Sequence, residues 1–191
     1  MNLKWRRIMV LVLAFSLTGG SMLFADSATQ KVKLNINGRD VEDGGYVIDG
    51  KTYVPVRELE GLVEYDEATK KVSYYTPNVH IFLFKGNEIF SKIEKGLKLK
   101  FSVFSQIDNL KTDISAVKVT ITAPDGTSKT IQTQTKDGKD GKEFGSNFYF
   151  ITDEYTYDFK NAGTYTIGFY MKPAKGSSDY VLVAEKNFEV L

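Results

Sequence analysis

The chain lacks cysteine and contains a single histidine, His80. Without cysteine no disulfide can form and a Cys-His catalytic pair is excluded, so burial alone must stabilise the fold. A Ser-His-Asp triad would require His80, but no G-x-S-x-G sequence accompanies this residue. We therefore predict no catalytic residues, no cofactor and no metal site. Paired carboxylates remain open, because sequence does not reveal which acidic residues meet in space.

The chain also lacks an excess of charge of either sign. It has 25 basic and 24 acidic residues, interspersed along its length, for a formal net charge of +1. Nucleic-acid phosphates require a basic stripe, and anionic membranes attract polybasic segments. The sequence therefore predicts a partner that is neither a nucleic acid nor a membrane surface.

The N-terminus has the order of a secretory signal peptide. Three basic residues precede an apolar run at residues 8–17, and small residues follow before Ala25. We predict a signal peptide at residues 1–25, with cleavage between Ala25 and Asp26. The apolar run is about half the ~20 residues that span a bilayer, so we expect no membrane span after cleavage. These features predict a secreted protein, extracellular or associated with the cell envelope.

Removal of this leader changes the charge and composition of the mature chain. It takes away three of the 25 basic residues and none of the 24 acidic ones, leaving 22 minus 24, or −2. It also removes Trp5, the one tryptophan. The mature protein is therefore slightly acidic and lacks the side chain with the largest stacking surface.

The sequence pattern of residues 31–75 predicts a small unit that combines β-strands with one short helix. Alternation of polar and apolar residues indicates short strands at residues 31–37, 46–48 and 51–54. Turns are expected at Asn37 and Gly38, at residues 43–45, and at Asp49 and Gly50.

A short helix is expected after the third strand. Pro55 pre-sets the first helical turn, and Gly61 limits the helix to about two turns. Residues 63–65 and 71–74 then form the arms of a hairpin. Arg57 is predicted to form a salt bridge that ties the helical turn to the hairpin, through one of four nearby acids (Glu58, Glu60, Glu64 and Asp66). A ligand-binding charge cluster is the rival interpretation.

Residues 31–75 resemble the copper amine oxidase N-terminal-like domain, also called the stalk domain, of exported proteins from Gram-positive bacteria, with the most specific part at residues 50–75. The family motif is carried by Gly50, Tyr53, Val54, Pro55, Val56, Arg57, Leu59 and Asp66, with further matches at Val32, Asn37, Gly38, Val63, Glu64, Tyr65, Thr69, Lys70 and Val72. The resemblance implies a peripheral, structural stalk module at residues 26–76. The copper and modified tyrosine of the oxidases belong to a separate domain that is absent here, and one histidine offers no copper site.

The chain beyond residue 77 predicts an antiparallel β-sandwich. About seven alternating runs separated by turns follow His80. Tyr165, just after the turn at Ala162 and Gly163, resembles the tyrosine corner of immunoglobulin-like (Ig-like) domains. The disulfide and core tryptophan of immunoglobulins are missing, so the resemblance is to the general Ig-like shape. The predicted fold class is mainly β, a small mixed β/α stalk-like domain (residues 26–76) followed by an Ig-like β-sandwich (residues 77–191).

Two sets of residues suggest binding. Phe148, Tyr149 and Phe150, with Phe169 and Tyr170, place rings on both strand faces; core packing explains most of them, and a sugar or peptide platform is the alternative. The acids of the loop at residues 136–143 suggest calcium, but interleaved lysines favour a solvated loop; these acids are Asp137, Asp140 and Glu143.

The sequence thus predicts an exported, non-enzymatic structural or binding module, at the cell envelope or outside the cell. Its partner would be an unknown protein or a cell-wall polysaccharide. The alternatives are a secreted hydrolase or inhibitor with an unrecognised site, and a surface protein that self-assembles through open sheet edges. A buried carboxylate pair in a cleft would favour the hydrolase, and a flat, exposed, aromatic-rich face would favour the binding module.

Overall fold

The structure, a computed structural model, describes residues 29–36, 39–136, 143–175 and 179–191. The predicted signal peptide with its Ala25–Asp26 cleavage site, the turn at Asn37 and Gly38, and the loop acids Asp137 and Asp140 lie outside these residues. The chain forms two compact units, Met1–Glu58 and Leu59–Leu191. In the described ranges, no helix has the length and apolar character that crossing a membrane requires.

The first unit contains a three-stranded antiparallel sheet. Its strands are β1 (Gln30–Ile36), β2 (Arg39–Ile48) and β3 (Lys51–Tyr53), in that spatial order. The predicted turn at residues 43–45 is wrong, because β2 runs through it. The extra residues form a bulge, since Val32 pairs with Gly45 whereas Leu34 pairs with Val41. Gly44 has a φ of 41°, and a Cβ there would lie 2.3 Å from the carbonyl oxygen of Val32.

A single 3-10 turn, Val56–Glu58, follows Pro55. The amide of Glu58 donates to the carbonyl oxygen of Pro55 at 3.0 Å. The prediction of about two helical turns is therefore wrong. The chain must already be extended at Leu62, where the next strand begins with a side chain buried in the hydrophobic core.

The second unit begins with the predicted hairpin, formed by β4 (Leu62–Asp66) and β5 (Lys71–Tyr75). Leu62 lies in the core of this unit, and Tyr75 packs against that core. The Thr112 hydroxyl donates a hydrogen bond to the Glu64 carboxylate. The division between the compact units thus falls before the hairpin, earlier than the predicted module boundary at residue 76. The assignment of residues 26–76 to a stalk module stays a prediction.

The remaining strands of the second unit form two sheets. In chain order they are β6 (Asn78–Lys85), β7 (Glu88–Ile89), β8 (Lys92–Ile93), β9 (Lys98–Asp108), β10 (Ile114–Thr122), β11 (Ser128–Thr135), β12 (Phe148–Ile151), β13 (Tyr155–Asp158), β14 (Gly163–Pro173) and β15 (Val181–Val190). One sheet has the order β11-β10-β14-β15-β8 and the other β12-β9-β6-β7, with β13 also pairing with β9. Within these sheets all described pairs are antiparallel except β8 with β15.

The hydrophobic core lies between the two sheets. On β9, Phe101, Val103 and Ile107 are fully buried, while the residues that alternate with them face outward. Phe150 and Phe169, from opposite sheets, have ring centroids 6.4 Å apart. The mainly β fold with an antiparallel Ig-like sandwich is confirmed.

Two of these strands, β8 and β13, were not predicted from the sequence. β8 has only two residues, too few to show an alternation. β12 and β13 form a broken strand along β9. At the break Thr152 bonds Val103 twice: the Thr152 amide donates to the Val103 carbonyl at 3.0 Å, and the Val103 amide donates to Thr152 Oγ1 at 2.9 Å.

Candidate binding face

The outer side of the sheet that contains β6, β9 and β12 carries rings from three neighbouring strands. Phe82 and Phe84 come from β6, Phe104 from β9 and Tyr149 from β12. They lie here because each alternates with buried neighbours along its strand. We call this surface the aromatic face.

The rings of the aromatic face form a continuous group. Phe104 is its centre, with ring centroids 6.0 Å from Tyr149, 6.3 Å from Phe82 and 6.4 Å from Phe84. The planes of Phe104 and Tyr149 differ by only 17°. Tyr149 is 58% exposed and Phe82 is 41% exposed. A contiguous group of rings with exposed members is typical of a contact surface.

Strand register sorts the aromatic face into two rows that run across the strands. Phe82 pairs with Phe104, and Phe104 pairs with Ile151, which gives an apolar row. His80 pairs with Gln106, and Gln106 pairs with Tyr149, which gives a row with hydrogen-bonding groups. Strand geometry makes each row about 10 Å long and separates the two rows by about 7 Å.

A small polar network extends the second row. The Gln106 amide nitrogen donates to both carboxylate oxygens of Asp108, at 3.2 and 3.1 Å. His80 Nε2 lies 4.0 Å from Asp108 Oδ2, and the His80 side chain is exposed. These contacts hold the amide and the carboxylate in fixed orientations beside the rings.

Three clefts of the second unit lie away from the aromatic face. One, of about 380 Å³, is lined by Glu64 and Asp113 among others; two further clefts have volumes of about 340 Å³. No residue of the two rows lines any of these three clefts. Glu64 is half-buried and accepts a hydrogen bond from Thr112, and Asp113 is exposed. The largest of the three therefore lacks the buried carboxylate pair that would favour a hydrolase.

The predicted aromatic residues separate into two groups. Tyr149 lies on the aromatic face, whereas Phe150 and Phe169 are buried in the core. Phe148 is half-buried, and Tyr170 lies on the other sheet with the Lys118 ammonium 4.6 Å from its ring centroid. Sequence analysis missed Phe82, Phe104 and Gln106 as binding candidates. For Phe104 a signal was present, because Phe101 and Phe104 occupy opposite phases of the alternation on β9.

Tyr165 lies within the sandwich. Its side chain is 1% exposed, and its hydroxyl donates to the carbonyl oxygen of Asn161 at 3.1 Å. A tyrosine hydroxyl bonded to the backbone a few residues upstream is the geometry that defines a tyrosine corner. The ring contacts Phe159 and Phe188 at centroid distances of 5.3 and 5.8 Å.

The stalk-motif residues are mostly at the surface. Gly50, Tyr53, Val54, Arg57 and Asp66 are exposed, and Pro55, Val56 and Leu59 are half-buried. Arg57 belongs to the first compact unit and the hairpin to the second. The predicted salt bridge between them stays a prediction.

Asp66 organises the turn of the hairpin. One of its carboxylate oxygens accepts the amides of Ala68 at 2.9 Å and Thr69 at 3.0 Å, and Lys70 adopts a φ of 55°. The hydrogen bond from the Thr69 backbone lowers the pKa of Asp66 below its ordinary value of 3.8. This geometry assigns Asp66 a local structural role in the turn.

In the described ranges, no group of three or more histidine or acidic side chains is arranged so that it could hold a metal ion. Of the proposed calcium ligands only Glu143 falls within these ranges, at an exposed position.

Comparison with known proteins adds one structural likeness. No protein-family model and no curated protein matches the chain. Among solved structures, it is similar to an immunoglobulin-like protein from Pseudomonas aeruginosa, with 15% identity and a TM-score of 0.28, over 69% of this chain and 98% of that one. The fold described above rests on the strands and core of this chain itself.

Proposed function

We propose that this protein is an exported, non-enzymatic binding module whose contact surface is the aromatic face. The observation that carries the proposal is the group of four neighbouring rings on an open sheet, with Tyr149 58% exposed. A contiguous aromatic group that is partly open to solvent lowers solubility, and its retention is explained by a partner that covers it.

The non-enzymatic part of the proposal is supported by chemistry. Cysteine is absent and the one histidine, His80, is exposed beside Asp108. Each of the three clefts described above is lined by two acidic residues. Glu64 is half-buried and bonded to Thr112, whereas the others are exposed: Asp66, Asp113, Asp125 and Asp158. A general acid with a raised pKa requires burial, and these positions do not supply it.

Location at the cell envelope is supported by the N-terminal sequence and by the resemblance of residues 31–75 to the stalk family. We infer that residues 1–25 direct export and that residues 26–76 serve as a spacer, joined to the sandwich through its hairpin, whose Leu62 lies in the core of the second unit. The sandwich then presents its aromatic face to a partner outside the cell. The near-neutral mature charge fits a partner other than nucleic acid.

A pull-down with the mature protein tests the proposal. Immobilised protein is incubated with cell-wall fractions and with secreted proteins, and a variant carrying Phe82→Ala and Tyr149→Ala is compared with it. We expect retention of a component by the wild type and its loss with the double variant. Tyr65→Ala is the matched control, because Tyr65 is 50% exposed but lies on the hairpin. Equal retention by wild type and double variant would contradict the proposal.

A further inference from the structure

The two rows of the aromatic face define what kind of ligand would fit. The apolar row consists of Phe82, Phe104 and Ile151, and the adjacent row offers the side chains of His80 and Gln106. The rows are about 7 Å apart. A ligand that covers both must therefore present an apolar surface and, within a few ångströms of it, groups that donate and accept hydrogen bonds.

A sugar ring has this distribution of groups. Its C–H bonds form an apolar face, and its hydroxyls project from the perimeter. A hexose with its C–H face on the apolar row would direct perimeter hydroxyls toward Gln106 and His80. The amide nitrogen of Gln106 is held by Asp108 at 3.2 and 3.1 Å, which fixes the direction of the amide oxygen. Preorganised polar groups of this kind reduce the entropy that binding costs.

The charge of the face selects a neutral ligand. The carboxylate beside the second row is Asp108, which already contacts Gln106 and His80. Nearby, Lys100 is paired with Glu154. An anionic polymer would thus meet no cationic excess at these described positions, and a cationic one would meet a carboxylate already occupied.

The shape and size of the face favour a polysaccharide over a protein partner. Protein interfaces seat anchoring side chains in pockets, and the three clefts described above open elsewhere. The rows extend roughly 10 Å across the strands and about 7 Å between them. That is a small fraction of the ~800 Å² per partner that a standard protein interface buries, which also disfavours a second copy of this chain.

The geometry points to a neutral β-1,4-linked hexose polymer as the ligand, bound with its rings on Phe82, Phe104 and Tyr149. Equatorial β-1,4 linkages keep successive sugar rings in one flat ribbon, and a flat ribbon matches an open sheet face. This inference rests on the proposed function and adds the class of ligand to it.

Titration calorimetry with the mature protein tests the ligand class. The probes are the β-1,4-linked tetramers of glucose, N-acetylglucosamine and mannose, with an α-1,4-linked galacturonic acid tetramer as the anionic comparison. We expect at least one neutral tetramer to bind and the acidic tetramer not to bind. Tyr149→Ala and Phe82→Ala should each weaken binding by at least about tenfold. Tyr65→Ala should change it by less than about twofold, because Tyr65 lies off the face.

Each other outcome overturns the inference. Absence of binding by all three neutral tetramers, or equal binding of the acidic tetramer, removes the assignment of a neutral polymer. Neutral binding that survives both face variants removes the assignment of the face. A dimer that depends on Tyr149, detected by light scattering over a concentration series, would assign the face to a second copy. The pull-down separates these failures from failure of the binding module, because retention dependent on Tyr149 and Phe82 would persist with another ligand.

Discussion

The hydroxyl of Tyr165 donates a hydrogen bond to the carbonyl oxygen of Asn161 at 3.1 Å, while its ring is enclosed by the core. The bond joins the start of β14 to the turn that precedes it. It therefore fixes where the chain enters the central strand of one sheet.

Replacement of Tyr165 by phenylalanine should remove this bond and keep the ring packing. We expect the free energy of unfolding to fall by about 1 kcal/mol, since a neutral hydrogen bond contributes about that much. Denaturant titration measures the change. Tyr170→Phe is the control, because Tyr170 is a half-buried tyrosine on the same strand. An equal effect of the two variants would assign no special role to the corner bond.

Replacement of Leu62 by alanine should show that the hairpin is part of the second unit. Leu62 is 0% exposed and lies in the core of that unit. Loss of its side chain is expected to lower the free energy of unfolding by about 2–5 kcal/mol. Leu97→Ala is the matched control, because Leu97 is 42% exposed. Chemical denaturation of both variants measures the two free energies of unfolding. If the Leu62→Ala protein were as stable as the Leu97→Ala protein, the hairpin would not belong to the core of the second unit.

Two buried hydroxyls predict stabilising substitutions. In the described ranges, Ser105 Oγ and Thr120 Oγ1 are buried without a hydrogen-bond partner. Burial of such a group costs free energy that its removal should restore. Ser105→Ala and Thr120→Val should each raise the free energy of unfolding by up to about 1 kcal/mol. Thermal and denaturant unfolding measure this increase in stability. A loss of stability in both variants would contradict the expectation.

The turns at Asp66 and Asp125 should respond to a fall in pH. Backbone bonds from Thr69 and from Thr127 lower the pKa values of Asp66 and Asp125 below the ordinary 3.8. A lowered folded-state pKa gives stability that is full above the unfolded value and is lost as pH falls through the folded one. The Thr69 and Thr127 amide resonances should therefore titrate with midpoints below 3.8.

Asparagine substitutions provide the controls for these turns. Asp66→Asn and Asp125→Asn keep an oxygen that accepts the amide but remove the ionisation. Each should abolish the titration of its own threonine amide and leave the other unchanged. A midpoint at or above 3.8 in the wild type would show that the turn bonds do not favour the ionised carboxylate.

Most strands of this fold are predictable from the sequence because their alternation is strong. β9 alternates buried and outward residues over eleven positions, and β10 and β14 carry similarly continuous patterns. The failures have local causes. Gly44 and Gly45 indicated a turn, but a bulge opposite Val32 uses the same glycine freedom inside a strand. The helix after Pro55 is cut short because Leu62 is drawn into the core, a long-range effect.

The aromatic face was only partly predictable. Tyr149 was identified because two further rings adjoin it in sequence. Its neighbours in space, Phe104 and Phe82, are distant in sequence and come beside it through pairing with β9. Alternation shows that a residue faces outward, but register decides which outward residues are adjacent.

The alternation along β9 also governs how this protein can diversify. Phe101 and Val103 belong to the core, whereas Phe104 and Gln106 belong to the aromatic face. Substitutions at outward positions can therefore change the chemistry of the aromatic face while the interior stays intact. An insertion or deletion of one residue within β9 would turn core residues toward solvent and rings toward the interior. Homologues with altered specificity should thus differ by point changes on this strand and preserve its length.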